Sequence, residues 1–251
     1  MRRYGLSDSQ WERIKDFLPD RESHVGGTAA DNRLFIEAVL YRYRAGIPWR
    51  DLPVWFGDWK NVHRRLRRWC ESGVIERIFR HLAAEHDNAS MMTDSTIVRA
   101  HQHSAGARKK SVDQAIVPLR GGLTTNIHAI VDVAGKAVAL SLTHPGKGQT
   151  SLIAEPLLDE VDPEGFIADK AYDAAPLIEK FEKRGITPVI LSKKNRRNPR
   201  KILFLLYKKR NTIERFFARL KQFRGIATRY DKLKSTLLAA LQLLSVIIEI
   251  N

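Results

Sequence analysis

Three acids in this chain stand where acids are costly. Asp94 interrupts an apolar, strand-like run, Met91-Met92-Thr93-Asp94-Ser95-Thr96-Ile97-Val98, and Asp169 closes another, Gly165-Phe166-Ile167-Ala168. Glu214 is one of only two acids, with Asp231, among sixteen basic residues between Lys193 and Lys234. Carboxylates gathered without a cation repel one another, and at least one of them holds its proton more tightly. Gathered around hard divalent cations, such oxygen ligands support in-line attack on a phosphodiester. One ion activates the nucleophile and a second neutralises the leaving oxygen. Magnesium is the expected ion, with manganese as its substitute. Strand-end acids and a solvated basic helix face are the plainer account of the same residues. The apolar flanks of Asp94 and Asp169 argue against it.

The late basic segment has its own pattern. Tyr207, Arg210, Glu214 and Lys221 are separated by three, four and seven residues, so a helix over this stretch lines them along one face. With its two acids the segment carries a net charge of +14, nearly all of the chain's +15. A field of that sign recruits a polyanion, and nucleic acid is the expected partner. A membrane is not expected. The longest apolar stretch, Leu237 to Ile250, contains Gln242, Ser245 and Glu249 and is too short to span a bilayer. Met1-Arg2-Arg3 runs into polar Tyr4-Gly5-Leu6-Ser7-Asp8, with no apolar core of a signal peptide. A single cysteine, Cys70, excludes an internal disulfide framework and suits a reducing compartment, so a cytoplasmic, nucleoid-associated setting is expected.

The elements that must position these groups divide into two textures. Residues 7–86 read as helical throughout. Ser7 and Asp8 cap a helix that stops at Pro19, and a loop around Gly26-Gly27 leads to a helix from Asp31 to Arg44. After a turn at Gly57-Asp58, a helix from Trp59 to Glu71 turns Val62, Leu66 and Trp69 inward. His63, Arg64, Arg65, Arg67 and Arg68 are expected outward. A last helix runs from Val74 to His86. Helix, turn and basic helix form a helix-turn-helix-like layout, with those arginines as the DNA-contacting candidates. Trp49, Trp55, Trp59 and Trp69 are expected in the core.

After Ser90 the pattern becomes mixed α/β. Strands are expected at 91–98, 125–131 and 137–142, the last two joined as a hairpin at Ala134-Gly135-Lys136. A helix from Ser151 to Asp159, a strand ending at Asp169, a helix from Ala174 to Lys183 and a strand at 187–191 follow. The helix bearing Glu214 comes next, after a basic linker, and the apolar helix Leu237 to Ile250 is expected to pack on the sheet. This order is that of a ribonuclease H-like mixed sheet with flanking helices, here preceded by the all-α region. The expected division is residues 1–86 for DNA binding and 87–251 for catalysis. In such a fold the first and fourth strands are neighbours, so Asp94 and Asp169 would lie side by side with Glu214 approaching from its helix. His101 and His103, two residues apart, with His128 as a third group, are a weaker alternative metal set. Arg120-Gly121-Gly122 lacks the spacing and lysine of a phosphate loop.

Several blocks resemble the insertion-sequence-5 family of transposases. Met92-Thr93-Asp94-Ser95-Thr96, with Arg99-Ala100-His101-Gln102-His103, is similar to the family's first-aspartate block. Arg120-Gly121-Gly122-Leu123-Thr124-Thr125 and Ala168-Asp169-Lys170-Ala171-Tyr172-Asp173 resemble its middle blocks. Tyr207, Arg210, Glu214 and Lys221 match its Tyr-(2)-Arg-(3)-Glu-(6)-Lys signature, and Ile47-Pro48-Trp49-Arg50-Asp51-Leu52-Pro53 its leader region. The chain departs from the usual pattern at Val117-Pro118-Leu119, Asn126 and Ala171. The resemblance implies a DDE transposase whose Asp94, Asp169 and Glu214 bind metal, while Tyr207, Arg210 and Lys221 meet DNA. It would cleave the terminal inverted repeats of its element and join the 3′-hydroxyl to target DNA, as a homo-oligomer on that DNA. A non-catalytic DNA-binding derivative and a metal-dependent nuclease without strand transfer are the competing expectations.

Overall fold

The structure is a computed structural model that describes residues 5–19, 31–105, 114–119, 122–143, 157–159, 161–193 and 204–250. The loop at Gly26-Gly27, Arg120-Gly121, most of the helix expected from Ser151 to Asp159 and the basic linker at 194–203 lie outside the described residues. Two compact units are present. One joins Met1–Leu82, Arg99–Gln114 and Arg219–Asn251; the other joins Ala83–Val98 and Ala115–Ala218.

The second unit is built on a mixed sheet. Its strands are β1 (Ser90–Ala100), β2 (Val117–Leu119), β3 (Gly122–Asp132), β4 (Ala137–Thr143), β5 (Gly165–Ala168) and β6 (Thr187–Ile190). The order is β2-β3-β1-β5-β6, with β4 also on β3. β3 and β4 form the expected antiparallel hairpin. Asp132 fixes its turn, Oδ1 accepting from the N–H of Ala134 (3.0 Å) and of Lys136 (2.9 Å). Gly135 takes a φ of 87° there, a conformation that L side chains rarely adopt. β5 pairs in parallel with β1 on one side and β6 on the other. Every residue of β5 is buried, as a parallel strand covered on both faces requires. Met91, Ile130, Phe166, Leu177, Phe181 and Ile190 lie at the centre of the core that α5 (Ala175–Lys183) closes. Two further helices, α6 (Phe204–Lys208) and α7 (Asn211–Lys221), follow the last strand.

The first unit is helical. Ser7 starts α1 (Asp8–Ile14) with a capping box to Gln10, and the chain tightens into a 3₁₀ turn at Lys15–Phe17 before Pro19. α2 (Asn32–Ala45) is capped by Asp31 and ends at Gly46 with a φ of 68°. α3 (Trp59–Glu71) and α4 (Val74–Ala83) follow. The link from α2 to α3 spans residues 46–58 and holds two 3₁₀ turns, where a helix-turn-helix has a three- or four-residue turn. The last stretch of chain packs into this same unit. Gly46 and Gly225 mark the close approach of α2 to α8 (Arg224–Ala227): a Cβ on Gly46 would lie 2.7 Å from Arg224 Cβ, and one on Gly225 3.1 Å from Tyr43 Cα. The final strand β7 (Thr228–Arg229) pairs in parallel with Arg99 and Ala100 at the end of β1.

Three expectations are corrected here. The C-terminal helix α9 (Lys234–Glu249), expected on the sheet, is gathered with the N-terminal helices and touches α3. Its burial on nearly every side reflects an apolar sequence that needs cover all round. Arg65, expected outward, is buried: it sits between Val62 and Trp69 on the inward stripe of α3. Its guanidinium lies over the rings of Phe35 (4.5 Å) and Trp69 (5.0 Å) and donates to Asn32 Oδ1. Of the four tryptophans expected in the core, only Trp69 is buried. Trp49 and Trp59 are half-buried, and Trp55 is exposed.

Candidate active site

The sheet register brings the two aspartates together. Thr93 of β1 pairs with Ala168 of β5, so Asp94 and Asp169 are the next residues along two parallel neighbours. Parallel strands keep their side-chain alternation in step, and both acids therefore leave the sheet at the same level. Each is anchored by the backbone that follows it. Asp94 Oδ1 accepts from Ser95 N–H at 2.7 Å, and Asp169 Oδ1 from Lys170 N–H at 2.6 Å, capping a 3₁₀ turn at Lys170–Tyr172. Below that turn, Asp173 Oδ2 accepts from Lys193 N–H at 2.8 Å, which ties the chain leaving β6 to the turn after β5.

The third acid is joined to the first through a cation. Arg210 Nη1 donates to Asp94 Oδ2 at 2.8 Å, and Arg210 Nη2 donates to Glu214 Oε1. The expected single helix face from Tyr207 to Lys221 is broken: Tyr207 lies in α6, Arg210 in a turn, and Glu214 and Lys221 in α7. The break uses three-residue hydrogen bonds, Arg210 N–H to Tyr207 C=O (3.0 Å) and Ile213 N–H to Arg210 C=O (3.1 Å). It still leaves Arg210 and Glu214 four residues apart and able to pair. The Tyr207 ring lies 6.0 Å from the Arg210 guanidinium carbon. Lys221 is the exposed last residue of α7.

Burial pushes the Asp94 carboxyl above the usual aspartate range; Ser95 N–H and Arg210 pull the other way, while Asp169 and Glu214 repel its charge. Asp94 therefore senses both other acids and the arginine between them. The Arg210 guanidinium is pushed up despite burial, chiefly by Asp94 and Glu214. Tyr172, almost wholly buried under the turn, is pushed up by burial and stays a phenol. Three carboxylates of this kind suit a hard divalent cation in their chemistry. Among the described residues, no three His, Cys, Asp or Glu side chains converge in ligating geometry; the cation that Asp94 and Glu214 share is the guanidinium of Arg210.

The remaining sequence candidates fall elsewhere. His128, in the second unit, spends Nε2 on Thr143 Oγ1 (2.8 Å) and on Asn126 Nδ2 (3.1 Å). Burial lowers it to about 4, so it is a neutral core histidine at pH 7. β1 ends at Ala100, so His101 and His103 do not share a strand face. Their rings meet edge-on at 4.7 Å, and His101 stacks on Tyr230. On α3, Arg64, Arg67 and Arg68 are exposed, and Arg67 pairs with Glu71 at 2.9 Å. Sequence reasoning missed Arg42, a buried cation, and its acceptor Asp231, 3.1 Å away in the first unit. The signal available was Asp231 itself, the other acid of the basic segment.

Comparison with known proteins bears on both halves of the chain. Residues 6–79 match the family model described as "Putative transposase of IS4/5 family", and residues 91–248 match "Transposase DDE domain". The protein named y4sN of Sinorhizobium fredii is 50% identical over 105 residues, covering 42% of this chain and 84% of that protein. A protein of Brucella ovis, "Putative transposase for insertion sequence element IS6501", is 37% identical over 113 residues, covering 44% of this chain and 85% of its own length. Among solved structures, the piggyBac transposase synaptic complex with hairpin DNA matches with a TM-score of 0.53 at 13% identity. That match covers 96% of this chain and 70% of the other, and it is a likeness of fold.

Proposed function

Because the chain belongs to the transposase DDE domain family, as a DNA transposase and a divalent-metal-dependent nucleotidyl-transfer enzyme, we propose that Asp94, Asp169 and Glu214 are its catalytic carboxylates. The single observation that carries this reading is the register pair Thr93–Ala168, which makes Asp94 and Asp169 neighbours, together with the arginine shared by Asp94 and Glu214. The three acids would hold Mg²⁺, with Mn²⁺ as a working substitute. The bound metal supplies charge neutralisation at the phosphate and lowers the pKa of the attacking hydroxyl.

The chain's own residues bind and orient the DNA around that centre. Arg210, beside Tyr207, carries a fixed positive charge against Asp94 and Glu214 and would meet a DNA phosphate at that site. Lys221, at the exposed end of α7, grips a second phosphate of the same strand. Asp94 and Asp169 are fixed by the backbone N–H groups that follow them, so little reorganisation is asked of them at the moment of reaction.

The substrate is double-stranded DNA carrying the terminal inverted repeats of the element, and then target DNA. Water attacks the phosphodiester at the element end and releases a 3′-hydroxyl; that hydroxyl attacks a phosphodiester of the target, forming a new P–O bond as the target strand's own 3′-oxygen leaves as a hydroxyl. Two ends must be handled together, so the working form is at least a dimer on DNA. Residues 1–86 carry DNA recognition, with Arg64, Arg67 and Arg68 of α3 as its contacts and Arg65 as a packing residue, and residues 87–251 carry catalysis. This is a division of roles: α2 packs on α8, and Arg42 pairs with Asp231. Among the described residues no helix is long and apolar enough to cross a membrane.

The test is to incubate the purified protein with duplex DNA bearing its flanking repeats, with Mg²⁺, Mn²⁺ or chelator. The reading expects metal-dependent cleavage and joining of a pre-cut end to a second duplex. Cleavage without joining would make the chain a nuclease, and binding without cleavage a non-catalytic binder.

A further inference from the structure

The first unit contains a cavity of about 960 Å³ that the chemistry above does not use. Its walls include the half-buried rings of Trp49, Trp59 and Tyr230, and the buried Arg42 is part of its lining. Trp49 rests against His63 at 5.3 Å, and Tyr230 stacks on His101 at 4.7 Å with the rings 23° apart. The Trp49 and Tyr230 rings are thus held by neighbours before anything enters. Burial lowers His63 below its ordinary range, so its ring is a neutral part of the wall. Arg50, Arg67 and Lys232 stand exposed on the lining, against the exposed acid Asp51.

Arg42 is the second observation. Its side chain is 2% exposed, its guanidinium lies 4.9 Å from the Trp49 ring, and Nη1 donates to Asp231 Oδ2 at 3.1 Å. Its Nε is buried and has no hydrogen-bond partner among the described residues. An unpaired buried donor is costly, and a cavity beside it offers a place for an acceptor.

Aromatic faces ringed by cations recognise a flat, electron-rich base together with its phosphate. In a duplex the bases already stack on one another, so only a nucleotide out of the duplex can present its face to a side chain. Taking as its basis the reading that the protein acts on DNA, we propose that this cavity holds an unpaired nucleotide of single-stranded DNA, its base against Trp59 and its phosphate against Arg50 and Lys232. The site would give the helical unit a hold on a frayed or cut strand, independent of duplex recognition.

The experiment uses the full chain and three fluorescent probes: a short oligo-dT, the same strand with abasic residues in place of its thymines, and a duplex bearing the element end. Each is titrated by anisotropy against wild type, Trp59→Ala and Lys232→Ala. Wild type is expected to bind oligo-dT about tenfold more tightly than the abasic strand, the scale of one base–aromatic stack. Trp59→Ala should abolish that preference and leave duplex binding unchanged. Lys232→Ala should weaken both single strands alike and preserve the preference. Thermal melting of each variant checks that it folds, and Tyr230→Phe, which keeps the ring, should keep the preference. Equal binding of oligo-dT and abasic strand by wild type overturns the proposal, as does a preference that survives Trp59→Ala. If the duplex is bound and cut in that case, the cavity reading alone has failed. If the duplex is not bound at all, the DNA reading beneath it has failed.

Discussion

Each unit contains an arginine held by an aspartate, and the two pairs differ in burial rather than in geometry. Arg210 and Asp94 meet at 2.8 Å with side chains 22% and 23% exposed; Arg42 and Asp231 meet at 3.1 Å with 2% and 4% exposed. The first pair is half-buried, and two more carboxylates, Asp169 and Glu214, act on its aspartate. The second is buried where α2 meets the last stretch of chain, and the Tyr43 hydroxyl donates to the same Asp231 oxygen at 3.1 Å. Removing one partner there strands a charge in the interior. The same two residue types thus form a half-buried pair beside further carboxylates in one unit and a buried pair in the interior of the other.

The comparison breaks first at the carboxylates. Asp94→Ala or Asp169→Ala is expected to lower metal-dependent cleavage about a thousandfold or more, roughly 4 kcal/mol of transition-state stabilisation, with the melting temperature and DNA affinity little changed. Single-turnover cleavage beside a thermal melt checks both halves. Asp231→Ala should do the reverse. Arg42 is left buried without its counter-charge, at a cost of about 3–5 kcal/mol of folding stability. Urea unfolding measures it, and a variant as stable as wild type would show that the buried pair is dispensable.

Smaller effects sharpen the contrast. His128 is held neutral by burial, with its folded pKa lowered to about 4. The unfolded chain binds that proton near the ordinary 6.5, so the stability is complete above that value and is lost as pH falls toward 4. The loss should reach about 2–3 kcal/mol, read as a falling urea midpoint between pH 7 and pH 4.5, and His128→Gln should flatten that part of the profile. On α3, Arg64→Ala or Arg68→Ala should reduce the salt slope of duplex binding by about one each if they meet phosphates. Arg65→Ala should act mainly on stability, through lost packing on Phe35 and Trp69.

Much of this was legible in the residues. An acid inside an apolar strand and another at the end of one mark positions that only pairing or function explains, and the β3–β4 hairpin follows from alternation around Ala134-Gly135-Lys136. The neighbouring of β1 and β5 follows from element order, because parallel strands need a crossover between them. What was not legible depends on partners rather than on period. Helical spacing reveals that a face is buried but not by what, so α9 read as a cover for the sheet although it packs with α3. Arg65 read as outward because it is charged, although its stem and planar head can lie on Phe35 and Trp69. Trp49 and Trp59 read as core because they are large and apolar. The break at Lys209–Arg210 leaves no glycine or proline to announce it.

The most direct test separates chemistry from binding at Glu214. Glu214→Gln keeps the shape of the side chain, removes the charge that a divalent cation and Arg210 both need, and leaves α7 intact. Single-turnover cleavage of an end duplex in Mg²⁺ should then fall to background, while the binding isotherm of the same duplex is unchanged or slightly tighter because one negative charge near the phosphate is gone. A Glu214→Gln protein that cuts the end duplex at the wild-type rate would contradict the assignment of this carboxylate site.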